Sequence, residues 1–247
     1  MTRQRRFRMI SCEVSQREVC AAVARSRNLV DVDFLTKGLH DVGQARMAER
    51  LQQAVNARPP AAYEAVLFWY GLCNNGLCGV RAPVPMVVPR AHDCITLLLG
   101  SRVRFAEYFD ANPGTFFKSP GWIERDSDPN DNPASITARL RMSRGFIELA
   151  EKYGEENARY LLPAMADWFK HYRKLAFIDT GVGDVEEYRR RARDFAAEKS
   201  WEYEELKGDA GLLDRMLAGD WNADEFLVLE PGKTLRPTFR PDIMEGA

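Results

Sequence analysis

The sequence predicts an α/β protein with a mainly parallel sheet flanked by helices. Short apolar runs alternate with helical patterns almost from end to end, which is how strand–helix–strand units read in one dimension. The run AVLFWY (Ala65–Tyr70) is apolar on both faces, as a strand covered by helices on both sides requires. The length of 247 residues suits one large domain, with room for two similar α/β lobes.

The elements follow in order. Phe7–Cys12 reads as a strand. A helix over Ser15–Arg27 follows, opened by Ser15 and Glu18 at the spacing of a capping box. Val30–Leu35 is the next strand, and Asp41–Ala57 a long amphipathic helix closed by Pro59 and Pro60. After Ala65–Tyr70, the prolines of Pro83–Pro89 argue for a strand at a sheet edge or with an irregular approach. Asp93–Phe109 reads as one helix. PGTFFKSPGWIERDSDPNDNP is a long surface connection holding one short strand, and its stretch 126–133 is the natural boundary between two lobes. Two helical patterns cover Ser135–Tyr153 and Glu156–Tyr172. Then come a strand at Leu175–Asp179, the turn Thr180-Gly181-Val182-Gly183, and a helix over Val185–Lys199. An extended run at Trp201–Leu206, a short helix at Ala210–Ala218 and a strand at Phe226–Leu229 complete six or seven strands.

Composition excludes some classes of function. Lys and Arg total 35 against 36 Asp and Glu, so no strong global field favours nucleic acid or an anionic membrane. No apolar run approaches the roughly 20 residues of a membrane-spanning helix, and the basic start MTRQRRFRMISCEV is broken too soon to be a signal peptide. A cytoplasmic location is expected, where clustered thiols serve metal or redox chemistry more often than structural disulfides.

Three of the five cysteines and one of the three histidines fall in YGLCNNGLCGVRAPVPMVVPRAHDC. Loops that leave the carboxyl ends of strands are where open α/β sheets bind ligands. Gly and Asn around Cys73 and Cys78 tolerate positive φ and let the loop fold back, while Cys94 opens a helix behind the cap Asp93, where amides favour a thiolate. Cys73, Cys78, His92 and Cys94 are therefore the expected metal ligands. Four donors fit a closed structural zinc, and three with an open position a catalytic one; iron and cobalt also accept thiolates. A redox pair of Cys73 and Cys78, a nucleophilic Cys94 and plain burial of the thiols stand beside this reading. Cys12 and Cys20 look different from these three, and Cys20, on a helical pattern, reads as a small packing residue.

Other residues receive expected roles. Arg90 could hold a carboxylate or phosphate through its fork of donors, and Asp93 could orient His92 or serve as a cap; these two are the catalytic candidates. Asn74 and Asn75 are candidate ligand-binding residues, as is His40, which follows a strand and starts a helix. Trp122, with Phe116 and Phe117, could form a lid over a ligand. The turn at Thr180–Gly183 could cradle an anion, whereas His171, on a helical pattern, reads as a solvated or packed side chain and the run YRRRARDFAAEK as a solvated helix face.

YGLCNNGLCG, PRAHDCITLLLGS, PGTFFKSPGWIE and IDTG together resemble an uncharacterised bacterial and archaeal family, domain of unknown function family 1638, over most of the chain. The resemblance marks Cys73, Cys78, His92, Asp93, Cys94 and the Leu39-His40 pair, and implies a genomic association with corrinoid methyltransferases. The His92-x-Cys94 spacing is also similar to the zinc motif of methyltransferases that pass a methyl group from methylcobalamin to a thiol, although that pattern's distant third cysteine is absent downstream. These resemblances imply a metal-dependent enzyme acting on a small molecule, with a thiol as acceptor and a corrinoid protein as partner. The rivals are a non-catalytic metal or corrinoid delivery protein and an interaction protein with a structural metal.

Overall fold

The computed structural model describes residues 3–59, 62–73, 75–125 and 171–247, with only the backbone of His40 and Asp41. Two mainly parallel sheets organise these residues. The first has the order β2-β1-β3-β4-β8, built from β1 (Arg6–Cys12), β2 (Leu29–Leu35), β3 (Ala65–Trp69), β4 (Met86–Pro89) and β8 (Phe226–Leu229). The second is β5-β6-β7: β5 (Thr115–Lys118), β6 (Lys174–Asp179) and β7 (Glu202–Lys207), all parallel.

In the first sheet β1 pairs β2 and β3 in parallel, with Met9 opposite Val32 on one side and Leu67 on the other. Alternation along the strands divides its side chains between two cores. Ile10, Val66, Phe68 and Val88 face α2 (Gln44–Asn56) through Met47, Leu51 and Val55. Phe7, Met9, Leu67 and Val87 face Val19 and Ala22 of α1 (Gln16–Arg25), Leu97 of α3 (Cys94–Leu99), and Leu212, Leu213, Met216 and Leu217 of α7 (Gly211–Ala218). β3 is buried at every position, as its sequence predicts.

The second sheet repeats the layering. Leu175 and Phe177 pack on Tyr188, Ala192 and Ala196 of α6 (Val185–Lys199), and Ile178 faces Leu98, Leu99 and Phe105, the last from α4 (Arg102–Ala111). The expected lobe boundary at 126–133 lies outside the described residues, as do the helical patterns 135–153 and 156–170. The strands change sheet between α3 and α4, where Gly100 ends one helix in the left-handed region and Ser101 caps the next. They change back after β7, so α7 and β8 return to the first sheet.

Several local expectations are corrected. The single helix Asp93–Phe109 is two helices, because Gly100 at φ 73° cannot continue an α-helix. β4 is an interior strand between β3 and β8 rather than an edge, since its prolines stand before it and at its last residue and leave the amides of Met86 to Val88 for the ladders. Ser15 makes no capping bond because a 3-10 turn, Glu13–Ser15, leads straight into α1. Helix α5 (Pro120–Arg125) lies inside the stretch read as a surface connection, with Pro120 at its first position. The hairpin of β9 (Leu235–Pro237) and β10 (Met244–Gly246) was not expected either.

A buried cation sits in β1. Arg8, 1% exposed, donates to Asp33 at 2.8 Å and to the carbonyls of Val55, at 2.8 Å, and Ala54, at the end of α2. It satisfies acceptors that a helix end otherwise leaves to water, and it complements the negative pole there.

Candidate functional site

The strand order 2-1-3-4 reverses direction between β1 and β3, and ligands of open α/β sheets bind outside the carboxyl ends of the strands at such a point. Three of this chain's thiols stand there. Cys12 ends β1, Cys73 follows β3, and Cys94 opens α3 after β4. All three belong to one apolar cluster and are at most 7% exposed.

The loop after β3 is held against the loop after β4 by backbone bonds from Leu72 to Ala91 at 2.8 Å and from Cys73 to His92 at 2.9 Å. Only glycine permits this at Gly71, where a Cβ would stand 2.6 Å from the Asp93 amide. The loop then turns through two left-handed residues that are not glycine, Cys73 at φ 44° and Asn75 at φ 62°. Asn tolerates that region, but a cysteine there stores strain, and such outliers cluster at functional sites.

Burial governs the titration of these thiols. It pushes Cys12 up to about 12 and raises Cys73 and Cys94 as well, Cys12 adding to the rise at Cys73 and both of them, with Asp93, to the rise at Cys94. The expected thiolate at Cys94 is thus outweighed by desolvation, although Trp122 donates its indole N–H to Cys94 Sγ at 3.4 Å. Tyr70 lies beside Cys12 and Cys73 with its hydroxyl buried and without a partner among the described residues. The five cysteines are all free thiols.

Cys73 and Cys94 therefore share one buried cluster at the carboxyl edge, and Cys78 is half-buried against it. His92 is exposed, unlike its neighbour two residues on. Among the described residues no three His, Cys, Asp or Glu side chains are drawn up close enough to hold a metal ion. Asp93 caps α3, accepting from the Thr96 amide at 3.0 Å and hydroxyl at 3.2 Å. Arg90 gives its donors to the chain itself: the carbonyls of Ala223 at 2.8 Å, Asp242 at 2.9 Å and Met244 at 2.6 Å. Asn75 shapes the turn, its carbonyl accepting from Cys78 at 3.0 Å. Asn74 and the His40 side chain lie outside the described residues.

The thiols have a cover. Helix α5 follows β5 of the second sheet and reaches across to the first. Gly121 abuts the Val14 carbonyl, Glu124 pairs with Arg17, Arg125 donates to Gln16 at 2.5 Å, and Lys37 donates to the Arg125 carbonyl beside the Trp122 ring. Trp122, expected as a lid over a ligand, rests on Cys94 from this helix; Phe116 packs on Phe195 and Trp201, and Phe117 on Phe105 and Tyr108.

Sequence reasoning set Cys12 apart from the cluster and missed it. The usable signal was its position at the carboxyl end of a strand next to β3, which needs the strand order to be known. Cys20, read as a packing residue, is exposed. The turn at Thr180–Gly183 is occupied by carboxylates: Asp179 accepts from Gly181 at 2.8 Å, and Asp184 caps α6 above Glu186 and Glu187, a poor cradle for an anion. Among the described residues no helix is long and apolar enough to cross a membrane.

No curated protein and no solved structure matches the chain. A family model does, that of the protein of unknown function DUF1638, over residues 34–217. This covers the thiol-bearing loops after β3 and β4, the helix that carries Trp122 and the strands of the second sheet, though not β1, most of β2 or β8 of the first, and by that match the chain belongs to the DUF1638 family.

Proposed function

We propose that the chain binds a soft metal ion, zinc being the leading choice, through thiolates presented at the switch point. The observation that supports this is the gathering of buried thiols that follow three neighbouring strands, Cys12, Cys73 and Cys94, into one apolar cluster, where the loops would have to close further to bring the donors onto one ion. Sulfur donors without oxygen company suit thiophilic ions such as zinc, iron or cobalt. Loading would exchange the thiol protons for the ion, and the loop strained at Cys73 is the part that would move to tighten the donor set. Cys78, packed against the same cluster, is the candidate for a further ligand.

Such an ion supplies Lewis acidity that lowers the pKa of a bound thiol. On this reading the reaction is methyl or other one-carbon transfer to a small thiol, with a corrinoid protein as donor partner, and the residues of this chain exclude water and orient the acceptor beneath Trp122. A carrier of metal or corrinoid is the second reading. It is favoured by the burial of Cys94 against Trp122 of α5 and of Cys73 in the same cluster, where a closed site suits storage better than turnover.

The test is metal analysis of protein purified without oxygen, for the wild type and for Cys12→Ser, Cys73→Ser, Cys94→Ser and His92→Ala. About one ion per chain is expected in the wild type and in His92→Ala, with loss in Cys73→Ser and Cys94→Ser. Equal metal content in every variant, or none in the wild type after reconstitution with zinc, iron or cobalt, overturns the proposal.

A further inference from the structure

We propose that the Tyr70 hydroxyl donates a hydrogen bond to the thiolate sulfur of Cys12 or Cys73 when the site is loaded, so that Tyr70 is a positioning residue of the metal site. The inference rests on the metal binding proposed above and adds to it a donor that offsets the charge of the bound thiolates.

Tyr70 directly follows β3. β1 and β3 run parallel with Ser11 opposite Trp69, so the next step of that register sets Cys12 beside Tyr70, on the face where Ile10 and Phe68 also stand. Tyr70 is 1% exposed and belongs to the same apolar cluster as Cys12, Cys73 and Cys94. Its hydroxyl is buried without a hydrogen-bond partner among the described residues. A buried donor left unmade costs free energy that phenylalanine in the same place would avoid, so the oxygen calls for a partner in another state of the protein.

The neighbours narrow the choice. The titratable groups that act on the hydroxyl are Cys12, Cys73 and Glu13. Glu13 is engaged elsewhere: its Oε1 accepts from the Lys37 amide at 2.9 Å, and its Oε2 lies 3.8 Å from Arg125 Nε. Two sulfurs remain. A neutral thiol is a weak acceptor, whereas an ionised one draws a donor strongly, so the bond becomes available when an ion displaces the thiol protons.

Charge balance points the same way. Three thiolates around a divalent ion leave one net negative charge in an apolar cluster, and buried charge is costly unless hydrogen bonds meet it. The Trp122 indole N–H supplies one donor, to Cys94 at 3.4 Å. Tyr70 supplies the donor for the other sulfurs, and outer partners of this kind fix the orientation of the ligands they touch. Tyr70→Phe therefore acts with opposite signs in the two states: it removes an unmet donor from the empty site and a made hydrogen bond from the loaded one.

Titration of the full chain with cobalt(II) in the absence of oxygen tests this, with the sulfur-to-cobalt charge-transfer band as the signal. Tyr70→Phe should bind cobalt about 10–100-fold more weakly than the wild type. Its band should move to longer wavelength, because a sulfur relieved of its hydrogen bond gives up an electron more readily. Without metal, its Tm should be no lower than that of the wild type. Tyr70→Leu, which also lacks the donor, supplies the cobalt comparison should the phenylalanine variant fail to fold. Equal affinity with an unmoved band, or a metal-free Tm lowered as much as the loaded one, assigns the hydroxyl to the fold and overturns the proposal while leaving metal binding intact. A wild type that takes up no cobalt overturns both.

Discussion

Replacing Gly121 by alanine should push α5 off the first sheet. A Cβ at this position would stand 1.7 Å from the Val14 carbonyl oxygen, 2.5 Å from its carbon and 2.9 Å from the Val14 Cα. A relaxed contact needs about twice the first distance, so the helix and the 3-10 turn must separate by on the order of 1–2 Å. Each atom met is backbone, and Val14 is wholly buried, so no side-chain rotation relieves the clash. Overpacking of this kind costs about 1–3 kcal/mol. For a chain of this length each kcal/mol lowers Tm by about 2–4 °C, so circular dichroism should record a fall of about 2–12 °C. Alkylation of Cys94 by a small maleimide should quicken as Trp122 withdraws. Gly76→Ala is the internal comparison: its Cβ would meet only Met47 side-chain atoms, the nearest at 2.2 Å, which can swing aside, so its penalty should be smaller. A Gly121→Ala protein with wild-type Tm and an unchanged Cys94 alkylation rate would refute the argument that α5 is seated on this backbone contact.

Other perturbations have equally definite outcomes. Arg8→Met should destabilise by about 2–3 kcal/mol in guanidinium titration, because it leaves two helix-end carbonyls unpaired while Asp33 keeps its pair with Arg58; a loss below about 1 kcal/mol would show that water replaces the guanidinium at no cost. Asp93→Ala should cost about 1 kcal/mol as a lost helix cap while leaving any metal content intact, whereas a loss of metal without a loss of stability would restore Asp93 to the site. Asp31 is depressed by hydrogen bonds from Arg6 and Tyr63, so its contribution is present above the ordinary carboxylate range and disappears as pH falls through its folded value. Asp31→Asn should therefore flatten part of the acid limb of stability against pH. Glu18 has the opposite sign: raised in the fold, it costs stability as pH rises from the unfolded value through the folded one, and Glu18→Gln should lift the neutral end of the same curve.

The fold class was readable because burial leaves a period. β1, β3, β6 and β8 are runs whose apolar residues have no other use, and β3 in particular, with five consecutive buried residues, could only be central. What failed was local chemistry whose outcome depends on distant contacts. Nothing within Asp93–Phe109 says that Gly100 will break the helix, since glycine is tolerated in helices; the close approach of Asp209 to Gly100 is what fixes the break. Ser15 and Glu18 have the spacing of a local cap, yet Glu18 bonds across 162 positions to Thr180. The candidate site was legible in the same measure. Gly71, Asn75 and the turn around Cys73 follow from backbone rules, and Asp93 as a cap from its position. Cys12 was not legible as a member, because 61 residues separate it from Cys73 and only the strand order makes them neighbours. Arg90 looked available for a ligand because its acceptors, at residues 223, 242 and 244, lie more than a hundred positions away.

The return of the chain to its first sheet sets an order on biosynthesis. β1 emerges early, but α7 and β8, which close the core around Phe7, Leu67 and Val87, leave the ribosome after the whole second sheet. The first sheet must wait with Leu97 and Trp69 incompletely covered, so vectorial folding should complete the inserted sheet before the one that began earlier. A recombinant fragment cut to residues 34–217 would omit β1 and most of β2 from one side of β3, and β8 from beyond β4. It should accumulate as aggregate or be degraded, even though it carries Cys73, Cys94 and the helix that covers them.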